Sequence, residues 1–142
     1  MLLFDANCTL GRWAAGGPTH ESVDQVLGTL DRLGIERALV RHTMAIQHSV
    51  AVGNALLLEE LRGQPRLTPC LAATTTVTGE MGPLQDWLDR AAASGVRSVA
   101  IYPRSHGYPL TLWQCGDLLA GLADDQLRLV LGDNIRRLLA LP

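Results

Sequence analysis

The sequence predicts an α/β fold built from parallel βα repeats. Short apolar runs alternate with helical patterns along the 142 residues, and the strand starts recur about every 30 residues, the length of a βαβ unit. Such alternation is typical of a parallel sheet with right-handed crossovers. The apolar runs predicted to be strands are residues 2–5, 37–41, 67–73, 99–102 and 127–131.

Helical spacing of apolar residues predicts the segments between the strands. The first helix contains Val23, Val26, Leu27, Leu30 and Leu33, which share one face. No linker or shift of composition interrupts the pattern, so residues 1–142 are predicted to form a single domain. The later helices are predicted around residues 56–61, 84–92, 118–123 and 134–141.

Two architectures fit this order of elements. One is an open, doubly wound sheet of flavodoxin type. The other is an arc of a TIM barrel, because a complete (β/α)8 barrel needs about 200 residues or more. Periodicity alone does not separate a doubly wound sheet from a partial TIM barrel of five βα units.

Composition excludes several classes of partner and chemistry. Apolar residues make up 47% of the chain and the net charge is -2, which is typical of a globular protein without attraction to nucleic acid or anionic membrane. No apolar run approaches the roughly 18 residues of a membrane span, and the N-terminus lacks a signal-peptide pattern, so a cytoplasmic location is expected. All twelve basic residues are arginine, which excludes Schiff-base lysine chemistry. Cys8, Cys70 and Cys115 are predicted to be small buried residues.

The opening strand carries a resemblance to a known family. Metal-dependent amidohydrolases begin with an apolar strand running into Asp-x-His-x-His-x-Gly, and this frame is present here as Asp5, Leu10 and Gly11. Residues 31–40, 53–70, 93–103 and 131–141 are similar, in order, to later βα units of amidohydrolase-related proteins, the group that includes aminocarboxymuconate-semialdehyde decarboxylase. The resemblance implies a barrel fold and metal-dependent hydrolysis or decarboxylation of small carboxylated or amide substrates, with a divalent metal such as zinc.

The residues that would hold the metal depart from the family pattern. Asn7 and Thr9 stand where the resemblance places the first two histidines, and an amide and a hydroxyl are poor ligands for zinc. The fifth predicted strand ends at Gly132 and Asp133 instead of the family's histidine, and the region of strands six to eight is missing. We therefore predict no bound cofactor and no metal ligands.

Polar residues at the carboxyl ends of the strands are the candidate site, because ligands bind at that end of parallel α/β folds. Asp5, His42 and His106 are the catalytic candidates. Asp5 could line a pocket or accept backbone N–H bonds in a turn. His42 could be a general base or a structural residue, and His106 could transfer protons.

Substrate-binding candidates complete this set. Asn7 and Thr9 follow the first strand, and Tyr102 and Arg104 begin the polar loop of residues 102–109 after the fourth. Arg104 could bind a carboxylate through two hydrogen bonds, or the loop's prolines and glycine could simply make it rigid.

Three functional hypotheses remain open on the sequence. The chain could be an enzyme of the amidohydrolase class, or a non-catalytic barrel arc, either a pseudoenzyme that has lost its chemistry or a protein that binds a small molecule. It could also assemble, with two arcs associating as a homodimer through their open edges.

Overall fold

The computed structural model describes residues 3–17, 19–75, 79–96, 98–109, 111, 113 and 115–118. The predicted strand at 127–131, the helix at 134–141 and nearly all of the helix at 118–123 lie outside the described residues, as does Asp133.

Four parallel strands form one curled sheet that resembles half of a barrel. They are β1 (Leu3–Leu10), β2 (Ile35–His42), β3 (Leu67–Ala73) and β4 (Ser98–Ile101), and their order in the sheet follows the chain. A flavodoxin-type sheet would place β1 between β2 and β3. Here β2 pairs with both β1 and β3, so the doubly wound alternative is wrong.

Four helices connect and cover these strands. They are α1 (Val23–Leu33), α2 (Thr43–Gln47), α3 (Val50–Glu60) and α4 (Leu84–Ala93). The first, third and last were predicted, although α3 begins six residues before the predicted leucine-rich segment at 56–61. The short helix α2 was not predicted. Within the described part of the chain, no helix combines the length and apolar character needed to cross a bilayer.

The hydrophobic core lies between the sheet and the helices on its outer face. Side chains that alternate along β1 and β2 point into it and are nearly inaccessible to solvent. Burial of this apolar surface is the main stabilising contribution to folding. The core residues at its centre are Cys8, Leu10, Val26, Leu30, Ala38, Val40, Leu57 and Leu61.

The three cysteines are free and buried, as predicted. Burial raises the pKa of the Cys8 thiol to about 11, and it also raises the pKa of Cys70. Both side chains are therefore neutral thiols near pH 7, with little thiolate to act as a nucleophile.

Asn54 of α3 completes the hydrogen bonding of β3. Strand β3 pairs with β2 only as far as Pro69, and beyond this point β2 has already ended in α2. The side-chain amide of Asn54 donates to the Ala72 carbonyl at 2.7 Å, and its oxygen accepts from the Ala72 N–H at 2.8 Å. This buried pair replaces the two backbone bonds that a neighbouring strand would supply.

The adjacent glycine lets α3 approach this position. A Cβ atom on Gly53 would lie 2.1 Å from the backbone nitrogen of Ala45 in α2, which is far inside van der Waals contact. Only glycine therefore permits α2 and α3 to cross this closely. The Gly53-Asn54 pair sets both the helix crossing and the attachment of α3 to β3.

Replacing Asn54 by alanine is expected to destabilise the protein strongly. Two backbone groups of Ala72 would be left buried without partners, which costs about 2–4 kcal/mol in the free energy of unfolding. Urea unfolding followed by circular dichroism measures this change. The control is Val52→Ala on the same helix, whose side chain is 52% exposed and should cost less than about 0.5 kcal/mol. Equal effects of the two variants would contradict the assigned role of Asn54.

Candidate functional site

The inner face of the curled sheet carries polar side chains from β1, β2, β3 and β4. Thr9 pairs in register with Arg41, and Cys70 pairs with Ser98, so each pair shares one face of the sheet. The hydroxyl of Ser98 donates to the Cys70 sulfur at 3.3 Å. Tyr102, which directly follows β4, lies close enough to Arg41 and Cys70 for both to influence its pKa. The sheet therefore gathers one cation, one thiol and the three hydroxyls of Thr9, Ser98 and Tyr102 on the face opposite the helices.

A β-bulge lies in β1 at the place where the resemblance puts the metal-binding histidines. Asp5 pairs with Ala38 and Cys8 with Val40, so β1 contains one more residue than β2 over this interval. The Asp5 carboxylate accepts a hydrogen bond from the Asn7 N–H at 2.8 Å. The structure thus gives Asp5 the turn-like backbone contact that was one of its two predicted roles.

Arg41 is the charged group at the centre of the inner face. Its guanidinium donates to the side-chain oxygen of Asn7 and to the Ala6 carbonyl, the latter at 3.3 Å. Its Nε atom is buried and has no hydrogen-bond partner in the described part of the chain. No carboxylate of the described residues lies within ion-pair distance of it. Arg41 is therefore a partly buried cation without a counter-charge in this part of the chain.

Sequence reasoning did not identify Arg41 as a functional residue, although a signal was available. An arginine stands between two buried residues of an apolar strand, Val40 and His42, and strand alternation places it on the opposite face. An unpaired charge on the inner side of a sheet is costly unless a ligand or partner neutralises it.

The donor set at this position does not fit a metal ion. Among the ranges that the structure describes, no three His, Cys, Asp or Glu side chains come together to hold one. The Asn7 oxygen, which stands in place of a histidine ligand, is already bonded to the Arg41 guanidinium. A divalent cation beside Asn7 and Thr9 would be repelled by that positive charge.

His42 lies at the carboxyl end of β2, but its side chain forms its contacts with helices on the outer side of the sheet. It caps α2, where its Nδ1 atom accepts from the Met44 N–H at 3.1 Å, and its Nε2 lies 3.5 Å from a Glu60 oxygen. Only 8% of the residue is exposed. Burial lowers the pKa of His42, whereas Glu60 opposes the shift. These contacts are those of the structural role that was one of its two predicted interpretations.

The loop after β4 forms an aromatic cluster around His106. The Tyr102 and His106 rings meet edge to face with centroids 5.7 Å apart, and Tyr108 lies 6.3 Å from His106 on another side. The Nε2 atom of His106 bonds the Ala45 carbonyl at 3.0 Å and so ties this loop to α2. Burial raises the pKa of both tyrosines, which keeps their hydroxyls protonated near pH 7.

The structure thus brings some predicted site residues together and separates others. Tyr102 connects the inner-face group around Arg41 and Asn7 with the aromatic cluster around His106. Thr9 shares the inner face through its register with Arg41. Arg104, predicted to bind a carboxylate, is exposed on the loop, and His42 is held among the helices.

A second concave region lies on the outer side, along α1. It is a groove of about 560 Å³ that no motif of the sequence indicated. The residues that line the groove form hydrogen bonds with one another, since the Thr29 hydroxyl bonds both His20 and Arg32. The residues that line it are Thr19, His20, Gln25, Gly28, Thr29 and Arg32.

No protein-family model, no curated protein and no solved structure matches the chain.

The role of His42 predicts how stability depends on pH. Its folded pKa is lower than its ordinary value of 6.5, so the folded state binds fewer protons than the unfolded state. Its contribution to stability is complete above pH 6.5 and is lost as the pH falls below 6.5 toward the folded pKa. Thermal unfolding between pH 8 and pH 5 measures this loss.

Two substitutions separate titration from capping. His42→Asn keeps a side-chain acceptor at the N-cap and should flatten the pH dependence. His42→Ala also removes the cap, which should cost about 1 kcal/mol at pH 8, where the imidazole is neutral and its Nδ1 can accept. An unchanged pH slope in the asparagine variant would show that His42 is not the titrating group.

Proposed function

We propose that this chain is an amidohydrolase-related partial TIM barrel that binds a small carboxylate on the inner face of its sheet, without a metal ion. Two features support the family proposal: the resemblance along the chain and the barrel-like order of the four described strands. The substitutions at Asn7 and Thr9 support binding as the retained function, in place of metal-dependent hydrolysis or decarboxylation.

The single observation that carries this proposal is the state of Arg41. A partly buried guanidinium whose Nε is unpaired, and which has no carboxylate within ion-pair distance among the described residues, is suited to bind an anion. A carboxylate matches the planar fork of the guanidinium and would supply the missing counter-charge. In the enzymes that the chain resembles, a metal cation polarises the substrate. Here Arg41 would hold the ligand's carboxylate through its charge and its hydrogen bonds alone.

Side chains next to Arg41 could add hydrogen bonds to a bound carboxylate. The Tyr102 hydroxyl is buried next to the Arg41 guanidinium, which can only donate to it, so its own proton is left to be donated to a ligand. The Cys70 thiol and the Ser98 hydroxyl already bond each other at the floor of the face. No described residue at the site is placed as an activated nucleophile, because the Cys70 thiol is kept neutral by burial.

Titration calorimetry with benzoate and benzamide tests this function. The wild type should bind benzoate and not benzamide, which has the same ring without the charge. Arg41→Gln should weaken benzoate binding about 10- to 100-fold, since a charge-assisted hydrogen bond contributes roughly 1.5–3 kcal/mol. Treatment with EDTA should leave the affinity unchanged.

The matched control is Arg37→Gln, which removes an exposed arginine of the same strand and should preserve binding. If benzamide binds as tightly as benzoate, or if Arg37 and Arg41 contribute equally, the proposed carboxylate site is wrong.

A second candidate function is assembly into a homodimer. Among the described strands β1 pairs on one side only, which leaves an edge able to pair with another chain. Two large apolar side chains on this strand, Leu3 and Phe4, are 40% and 55% exposed. Two-fold pairing of identical edges is the commonest way to cover such a surface.

Light scattering at micromolar concentration tests the dimer. The expected mass is twice the 15.3 kDa of one chain. Phe4→Lys should shift the mass to that of the monomer, because a charge at the edge opposes strand pairing. Val52→Lys, at an equally exposed apolar position on α3, should remain dimeric. A monomeric wild type would exclude this function.

A further inference from the structure

The hydrogen bond between His106 and Ala45 determines which ring nitrogen of the histidine carries a proton. The Ala45 carbonyl is an acceptor only, so the His106 Nε2 that bonds it must donate. In the neutral ring the Nδ1 atom is then a lone-pair acceptor. This Nδ1 atom is buried, and none of the residues that the structure describes forms a hydrogen bond with it.

The hydroxyls of the two tyrosines that pack against this histidine also make no hydrogen bond of ordinary geometry to the described residues. The hydroxyls of Tyr102 and Tyr108 are buried, and their rings pack against the His106 ring at 5.7 and 6.3 Å. Each buried polar group without a bond costs about 1–3 kcal/mol, and native proteins leave only a few of them in 100 residues. Three in one short loop, at the carboxyl end of β4, indicate a site that a polar ligand completes.

We propose that the carboxylate bound by Arg41 belongs to a 2-hydroxy acid, whose hydroxyl group donates to Nδ1 of His106 while the tyrosine hydroxyls donate to its oxygens. This inference rests on the proposed carboxylate site. Tyr102 connects the two ends of the proposed ligand site, because its hydroxyl interacts with Arg41 and its ring packs against the His106 ring.

The charge of the site favours a hydroxyl over an amino group. A 2-amino acid would also present donors to Nδ1, but its ammonium group would lie close to the Arg41 charge. The nearest carboxylate on β1 that could balance an ammonium, Asp5, accepts from the backbone of Asn7. A neutral hydroxyl avoids this repulsion.

Calorimetry with three matched acids tests the inference. Mandelate, phenylacetate and phenylglycine share a ring and a carboxylate and differ only in the hydroxyl, hydrogen or ammonium group on the adjacent carbon. The wild type should bind mandelate about 3- to 10-fold more tightly than phenylacetate, the value of one added hydrogen bond. Phenylglycine should bind least tightly of the three.

Two variants test separately which residue binds the hydroxyl group of the ligand and which residue binds its carboxylate. His106→Leu should abolish the preference for mandelate while phenylacetate still binds, whereas Arg41→Gln should weaken both acids. In the wild type, nitrogen NMR should show the His106 Nδ1 resonance shifting with mandelate and not with phenylacetate. This measurement does not depend on whether the leucine variant folds.

The outcomes distinguish this inference from the proposed function. Equal, Arg41-dependent binding of mandelate and phenylacetate would overturn the hydroxy-acid assignment and leave the carboxylate site standing. The hydroxy-acid assignment would also be overturned if His106→Leu still preferred mandelate, or if the His106 Nδ1 resonance did not shift when mandelate was added. Failure of all three acids to bind would overturn both.

Discussion

The pairing between the Asn54 side chain and the Ala72 backbone is the interaction on which the rest of this structure depends. Strand β2 ends at His42 and turns into α2, so β3 would otherwise continue with unpaired backbone groups in the core. Asn54 supplies both a donor and an acceptor at that point. Because a buried amide and carbonyl without partners cost several kcal/mol together, the helix is held at one position along the strand.

This attachment also positions the candidate site. Helix α3 is seated on β3 by Asn54, and Gly53 lets α2 lie against it. The Ala45 carbonyl at the centre of α2 then faces the loop after β4, where it orients His106. Arg41 meanwhile projects from the other face of β2, immediately before His42. A hydrogen bond in the outer layer is thus connected, through α3 and α2, to the position of His106 in the candidate site.

Electrostatics separates this chain from the metal-dependent enzymes that its first strand resembles. A metal site gathers neutral imidazoles and carboxylates around a cation. The corresponding position here contains an amide and a hydroxyl beside a guanidinium, and the guanidinium already provides the positive charge. The guanidinium charge beside Asn7 would oppose a metal cation at this place on the sheet.

Local periodicity determined the elements of this protein. The strand at Leu67–Ala73 was predicted with its observed bounds, because an apolar run covered on both faces is an unambiguous signal. The first strand was predicted too short, since a bulge at polar residues interrupts its alternation. Helix α2 was missed because five residues are too few to show a helical period. The sequence also indicated that Asn7 and Thr9 are poor metal ligands.

Only the tertiary structure decided the order of the strands and the partners of each polar side chain. Alternation says that Arg41 and His42 face opposite sides of β2, but not which side the helices cover. Burial next to Glu60 of α3 gave His42 a structural role, and among the described residues no carboxylate lies within ion-pair distance of Arg41. These outcomes depend on contacts between residues far apart in the chain, such as His106 with Ala45, and no local pattern encodes such contacts.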